Sequence, residues 1–148
     1  MILFQKIIYL WMLKYSNFKK AIWETSTLST RVISWILNLD IIINNGTFDF
    51  KKNLFQTIIS QCNHLKKNIM FEKDPCKKIE ILTALALSGI IFREYEENYN
   101  IAIKELEKFV GSYFDKDGFP LSRNPNDLIF FTQYMLLCYE NIKDAQEY

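Results

Sequence analysis

Apolar positions recur along this chain at intervals of three and four residues, with short polar stretches between them, and that period predicts helices. The first helix is expected over residues 3–15. A second starts in the Thr25-Ser26-Thr27 cap region and carries Val32, Ile33, Trp35, Ile36 and Leu39 at helical spacing. The β-branched run Ile41-Ile42-Ile43 blurs its end, and Asn44-Asn45-Gly46 stops whatever precedes it. Asp49 is the expected cap of a third helix, with Leu54, Phe55, Ile58, Ile59, Cys62 and Leu65 along one face. Lys66 and Lys67 stand in its last turn, where cations suit the helix dipole. Asp74-Pro75 opens a fourth, with proline at the first helical position. From Ile79 to Phe92 that helix is apolar nearly all round, which predicts burial on more than one side. Asn98 precedes a fifth, carrying Ile101, Ile103, Leu106, Phe109 and Val110. Asn124-Pro125 opens a sixth that continues through Leu128, Phe131, Met135 and Leu136, with Asp127 near its positive end.

The pattern is all-α: about six helices of roughly 15 residues, joined by short polar connections that favour antiparallel neighbours. No internal repeat marks a named solenoid. Periodicity leaves open whether the helix pairs stack as a superhelix or curl into a toroid.

Composition narrows the class. The chain has 148 residues, room for one core and a single helical domain. Its 4 glycines and 3 prolines are too few for a sandwich or barrel of many short strands. A formal net charge of +1 argues against a nucleic-acid binder that relies on a general basic surface. Cys62, Cys76 and Cys138 contain no C-x-x-C pair, so buried free thiols are expected rather than a disulfide framework or a zinc site. The stretch MILFQKIIYLWMLKY is broken by Lys6 and ended by Lys14, and no small-x-small cleavage site follows. It is shorter than the ~20 apolar residues a transmembrane helix needs. An amphipathic first helix of the fold is expected, with a membrane-surface anchor as the alternative.

Few residues suggest chemistry. A single histidine cannot pair with another imidazole in a metal site or a relay, and no cofactor or metal is expected. No P-loop, nucleophile elbow or dinucleotide-binding glycine pattern is present. Glu94, Glu96 and Glu97 read as a solvated helix end. The least ordinary segment, 115–125, joins two helices and presents Ser122, Arg123 and Asn124 at a helix start. Arginine with free amides at a helix N-terminus suits a carboxylate or sulfate, although Asn124 acting only as a cap accounts for the same residues. His64, beside Asn63, sits next to an apolar face. Trp23, Arg31 and Trp35 form an aromatic–basic cluster in which Arg31 and Trp35, four apart, can stack.

Four segments carry a resemblance. Ala21-Ile-Trp23-Glu with Thr30-Arg31-Val-Ile-Ser-Trp35 looks like the A-W…R-x-x-x-W stretch of heparinase II/III-like proteins. Gln61-Cys-Asn-His64-Leu is similar to the Q-A-R-H-L helix end of an uncharacterised proteobacterial branch of that family. Leu82-Thr-Ala-Leu-Ala-Leu-Ser-Gly89 resembles its A-L-x-G-L-A-L-A-G helix. Asp117-Gly118 with Ser122-Arg123-Asn124-Pro125 resembles its D-G-G-H-x-S-R-N-P signature. The four follow in register across residues 21–140.

The resemblance implies an (α/α) toroid that precedes a β-sandwich in a larger polysaccharide lyase. Residues 1–148 would form antiparallel hairpins of an incomplete toroid, without the sandwich. The implied role is binding or β-elimination of a uronate-containing acidic polysaccharide, with Arg123, Asn124, His64 and Asp127 as substrate contacts. The family's lyases neutralise the uronate with an Asn and use a Tyr or His as base and acid. No Asn opens the helix near Cys76-Lys77 here, and Asp127 and Leu128 stand at the Tyr-His positions. Gly118-Phe119-Pro120 replaces Gly-Gly-His. No catalytic residue is therefore assigned, and activity of this chain alone is not expected. The family's characterised lyases work outside the cytoplasm, which suggests the periplasm; without a cleavable signal a cytoplasmic location stays open. The alternative is a non-catalytic helical scaffold that binds a protein partner. Apolar faces left open by an incomplete toroid would promote self-association.

Overall fold

A computed structural model describes residues 1–146. Seven α-helices follow one another: α1 (Leu3–Tyr15), α2 (Thr25–Leu37), α3 (Leu39–Ile43), α4 (Phe48–Asn68), α5 (Pro75–Ile91), α6 (Glu96–Tyr113) and α7 (Pro125–Gln146). A 3-10 turn, Arg93–Tyr95, joins α5 to α6. The described residues form no strand, so the all-α expectation holds.

The capping residues refine the sequence reading. Asp74 caps α5 as expected, its Oδ1 accepting the Cys76 N–H at 2.9 Å. α2 is capped by Glu24 rather than by the Thr25–Thr27 hydroxyls, through the Thr27 N–H at 3.0 Å. α4 is capped by Thr47, whose hydroxyl accepts the Phe50 N–H, while Asp49 sits inside the first turn. The expected second helix divides at Asn38, whose side-chain amide donates to the Ser34 carbonyl at 2.8 Å. Asparagine there competes for a backbone acceptor and opens a break, so Leu39 begins a separate short helix. Asn98 does not precede a helix. It lies buried within α6, and its Nδ2 donates to Ser88 Oγ at 3.2 Å.

The apolar run on α5 explains the architecture. Every residue from Ile79 to Gly89 is buried, and α2, α4, α6 and α7 pack around it. Leu28, Val32, Leu54, Ile58, Leu65, Ala102, Phe109 and Phe131 supply the facing surfaces. Polar ties set the directions. Lys77 pairs with Glu24 at 2.8 Å, and Glu80 takes a hydrogen bond from Ser26, so α2 and α5 start together and run parallel. Tyr134 Oη donates to Glu80 Oε1 at 3.3 Å and Cys138 Sγ lies 3.5 Å from Thr83 Oγ1, which makes α7 parallel to α5 as well.

A buried glutamine ties α1 to the end of α3. Gln5 Nε2 donates to the carbonyls of Ile42 and Asn44, both at 2.8 Å, and so satisfies acceptors that the end of α3 leaves open. Arg31 does not stack on Trp35, its neighbour on α2. Its guanidinium lies 4.3 Å from the Trp11 ring, and its Nε donates to Gln61 Oε1 at 2.8 Å. Burial lowers its pKa to about 10, which still leaves it charged at neutral pH.

Gly89 has a packing reason. A Cβ there would fall 2.6 Å from Tyr99 Cβ and closer still to the Tyr99 backbone nitrogen, because α5 and α6 touch backbone to backbone. Gly89→Ala is expected to destabilise the fold by about 3 kcal/mol in urea unfolding, the cost of prying two packed helices apart. Glu24 yields a pH prediction. Partial burial tends to raise its carboxyl, but the hydrogen bond from Lys77 and those from the Thr27 and Ser26 N–H groups outweigh it. The pKa is held at about 2, against an ordinary 4.5. A folded value below the unfolded one stabilises at higher pH, and the gain is lost as pH falls through the folded value. Glu24→Ala is expected to cost about 1 kcal/mol at pH 7. The gap between the two proteins' unfolding midpoints should narrow as pH drops from 4.5 towards 2.

Candidate functional site

The residues singled out at the start of the sixth expected helix turn out to hold one another. Asp115 organises the preceding loop. Its Oδ1 accepts the N–H groups of Asp117 and Phe119, each at 2.9 Å, and its Oδ2 pairs with Arg123 Nη1 at 2.6 Å. An antiparallel bridge between Phe114 and Pro120 closes the turn, which Gly118 makes possible at φ +81°. The Phe119 N–H above all, with the Asp117 N–H and Arg123, holds the Asp115 carboxyl below its usual range against the opposing effect of desolvation. Arg123 takes a left-handed φ of +56°, uncommon for a residue with a side chain.

Asn124 and Asp127 are brought together, as helix caps. Asn124 Oδ1 accepts the Asn126 N–H at 3.0 Å. Ser122 Oγ donates to Asp127 Oδ2 at 2.6 Å, and Asn124 Nδ2 donates to Asp127 Oδ1 at 3.4 Å. The guanidinium and the free amides that an anion would need are thus already engaged. Asp127 also stands close to Cys76. Burial first, then Asp74, Asp127 and Glu80, push that thiol upward, so it stays protonated. Glu80 is buried, and desolvation raises its carboxyl despite the hydrogen bonds from Ser26 and Tyr134. The shared end of α2, α5 and α7 is acidic.

His64 lines a different cleft, into which none of Arg123, Asn124 and Asp127 projects. This cleft, about 590 Å³, lies between residues 16–23, the face of α4 and Tyr95. The His64 ring packs 5.4 Å from Phe18 and 5.4 Å from Trp23, edge-on to the indole. Trp23 is fixed by donating its Nε1–H to the Tyr15 carbonyl at 3.1 Å. Burial, helped by the nearby Lys67 charge, lowers the His64 pKa. A neutral imidazole offers one donor and one acceptor. Gln56, Ser60, Asn63 and Lys67 line the same cleft, and among the described residues none of their side chains forms a hydrogen bond or an ion pair. They recur at four, three and four residues on α4, opposite the buried Leu54, Ile58, Cys62 and Leu65. That spacing was visible in the sequence as a polar stripe. Phe18 and Tyr95 were not visible, because both reach the cleft from other segments.

Of the cysteines, Cys62 and Cys138 are buried and Cys76 is half-buried, all three as free thiols. Burial pushes Cys62 up to about 11 against the opposing influence of Ser88 and Lys66, so it is inert. No cluster of metal ligands occurs among the described residues. In comparisons with known proteins, the chain matches no family model, no curated protein and no solved structure.

The loop geometry makes a prediction. Asp115→Ala is expected to speed amide exchange at Asp117 and Phe119 about tenfold or more, since both N–H groups lose their acceptor. The Asn126 amide, capped independently by Asn124, should keep its protection in the same NMR experiment.

Proposed function

We propose that this chain is an arc of helical hairpins of the heparinase II/III-like kind that binds a uronate-containing oligosaccharide without cleaving it, and that the His64 cleft is where it does so. The observation that carries this reading is the row of unpartnered Gln56, Ser60, Asn63 and Lys67 side chains beside an exposed Phe18 ring. Hydroxyl-rich ligands suit amide, hydroxyl and imidazole groups next to an aromatic face, and a lysine ammonium supplies the countercharge for a carboxylate. The arc itself is supported by the direction of the helices. α2, α5 and α7 run parallel and begin at one end, as the inner helices of a toroid do, with α4 and α6 packed against them.

Charge argues against lyase chemistry in this chain. The positions that would carry the family's Asn and Tyr are Cys76 and Asp127, and they stand among Asp74 and Glu80. A uronate placed there meets carboxylates where it requires neutralisation. Asp127, already bonded to Ser122 and Asn124, is not set up as a base.

The second reading, a scaffold for a protein partner, has its own observation. An apolar groove of about 480 Å³ runs between α6 and α7, lined by Ile103, Leu106, Val110, Met135, Tyr139 and Ile142. A further helix hairpin fits that chemistry, as continuation of a toroid would require.

NMR titration separates the two readings. With an oligogalacturonate as probe, shifts are expected at His64, Asn63 and Lys67. Lys67→Ala should weaken binding about tenfold, the loss of one charge-assisted hydrogen bond. Arg123→Ala should leave it unchanged. No shifts, or shifts confined to Arg123 and Asn124, would overturn the assignment of the cleft and leave the scaffold as the better reading.

A further inference from the structure

We infer that the outward face of α1 is a docking surface for an anionic lipid bilayer, on which the helix lies in the plane of the interface. A helix that merely completes a fold turns its apolar side inward and its polar side to water. α1 does the first and not the second. Its inner side is anchored by Gln5 and Met12, yet Leu3, Ile7, Leu10 and Leu13 form a ladder on the opposite side and are between 58% and 75% exposed. Their spacing of four, three and three keeps them on one face. The only polar residues sharing that face are Lys6 and Lys14.

Charge decides what covers the ladder. Residues 1–23 contain Lys6, Lys14, Lys19 and Lys20 and no acidic residue, while the whole chain carries only +1. The cationic segment therefore sits on an otherwise net-negative chain. Among the described residues none of these four lysines forms an ion pair with a carboxylate. Lys14 and Lys19 instead rest over the Tyr15 ring, each at 5.1 Å. A second copy of the chain would bring lysine face to lysine face with no carboxylate on either side, which disfavours self-pairing. An anionic bilayer satisfies both features. Acyl chains receive the aliphatic ladder, and lysines on flexible stems reach the headgroups. With 13 residues the helix is about 20 Å long, too short to cross a bilayer, and no helix among the described residues is long and apolar enough to do so. Binding in the plane is the geometry that remains.

Co-sedimentation of the full chain with vesicles tests the inference. The protein is expected to pellet with phosphatidylcholine vesicles containing phosphatidylserine, and to stay in the supernatant with phosphatidylcholine alone. High salt should release it, since the lysine contribution is screened. Ile7→Gln with Leu10→Gln breaks the middle of the ladder without touching the buried side, so helical circular dichroism should be unchanged while vesicle binding falls about tenfold. Lys6→Glu with Lys14→Glu tests the charge separately and should weaken binding at least as much. The inference is overturned if the protein ignores both vesicle types, or if the Ile7→Gln, Leu10→Gln form binds as well as the parent. It is equally overturned if the parent sediments as a dimer that these substitutions dissociate, with no vesicle binding, because a second copy would then own the face.

Discussion

A helix that is apolar on every side must be covered on every side, and α5 imposes that requirement on the whole chain. Eleven successive residues, Ile79 to Gly89, are buried, so the other helices are arranged by which flank of α5 each one covers. The tightest flank is the one facing α6. There Gly89 lets the Tyr99 backbone approach, and Ser88 meets Asn98 through a buried hydrogen bond. The serine is paired on both sides, accepting from Asn98 Nδ2 and donating to the Leu85 carbonyl at 2.8 Å, while Asn98 Oδ1 has no partner among the described residues. Cys62 of α4 reaches the same Ser88, so one small polar knot fixes three helices at a level where apolar packing alone would allow sliding.

Covering α5 with the parallel helices α2 and α7 gathers three helix starts at one end. Helix starts attract carboxylates, and each brings its own: Glu24, Asp74 and Asp127. Lys77 offsets one of them through its pair with Glu24, and among the described residues neither Asp74 nor Asp127 forms an ion pair. This electrostatic consequence of the topology conflicts with what the signature-like segment 117–125 suggests in isolation. Arg123 reads there as an anion contact, but Asp115 lies one short loop away and takes it at 2.6 Å. The residues that resemble a binding motif are explained by closing the loop and capping α7. The open polar stripe of α4 has no comparable structural duty, and this difference makes the His64 cleft the stronger candidate.

How far the sequence could be read follows from the range of the interactions. Helix existence, the Asp74-Pro75 and Asn124-Pro125 starts, and the enclosure of α5 depend on neighbours a few residues apart, and they were legible. Two corrections are local, the Thr47 cap of α4 and the break at Asn38, and the others involve partners farther along the chain. Glu24 is chosen over the adjacent hydroxyls because it also pairs with Lys77, 53 residues on. Asn98, a plausible cap by local chemistry, is drawn into the core by Ser88. Arg31 leaves its helical neighbour Trp35 for Trp11 and Gln61, each on another helix. Gln5 could not be read as an anchor, because the carbonyls it satisfies belong to residues 42 and 44. The cleft was half legible: the α4 stripe is periodic, whereas Phe18, Trp23 and Tyr95 meet it only through tertiary packing.

The same distinction separates the two faces of α1. Its inner face is tied by directional contacts. Gln5 bonds to the end of α3, Trp11 packs edge-on against Trp35 at 5.3 Å, and Arg31 lies over Trp11. These contacts do not involve Leu3, Ile7, Leu10 or Leu13, so the outer ladder contributes little to holding the fold and is free to serve a partner. The cost of exposing it to water, of the order of 25 cal/mol per Å² of apolar surface, is not offset by anything within the described chain. Apolar surface without a folding duty, carried on a segment with four lysines and no acidic residue, is explained more economically by an external surface than by the core it turns away from.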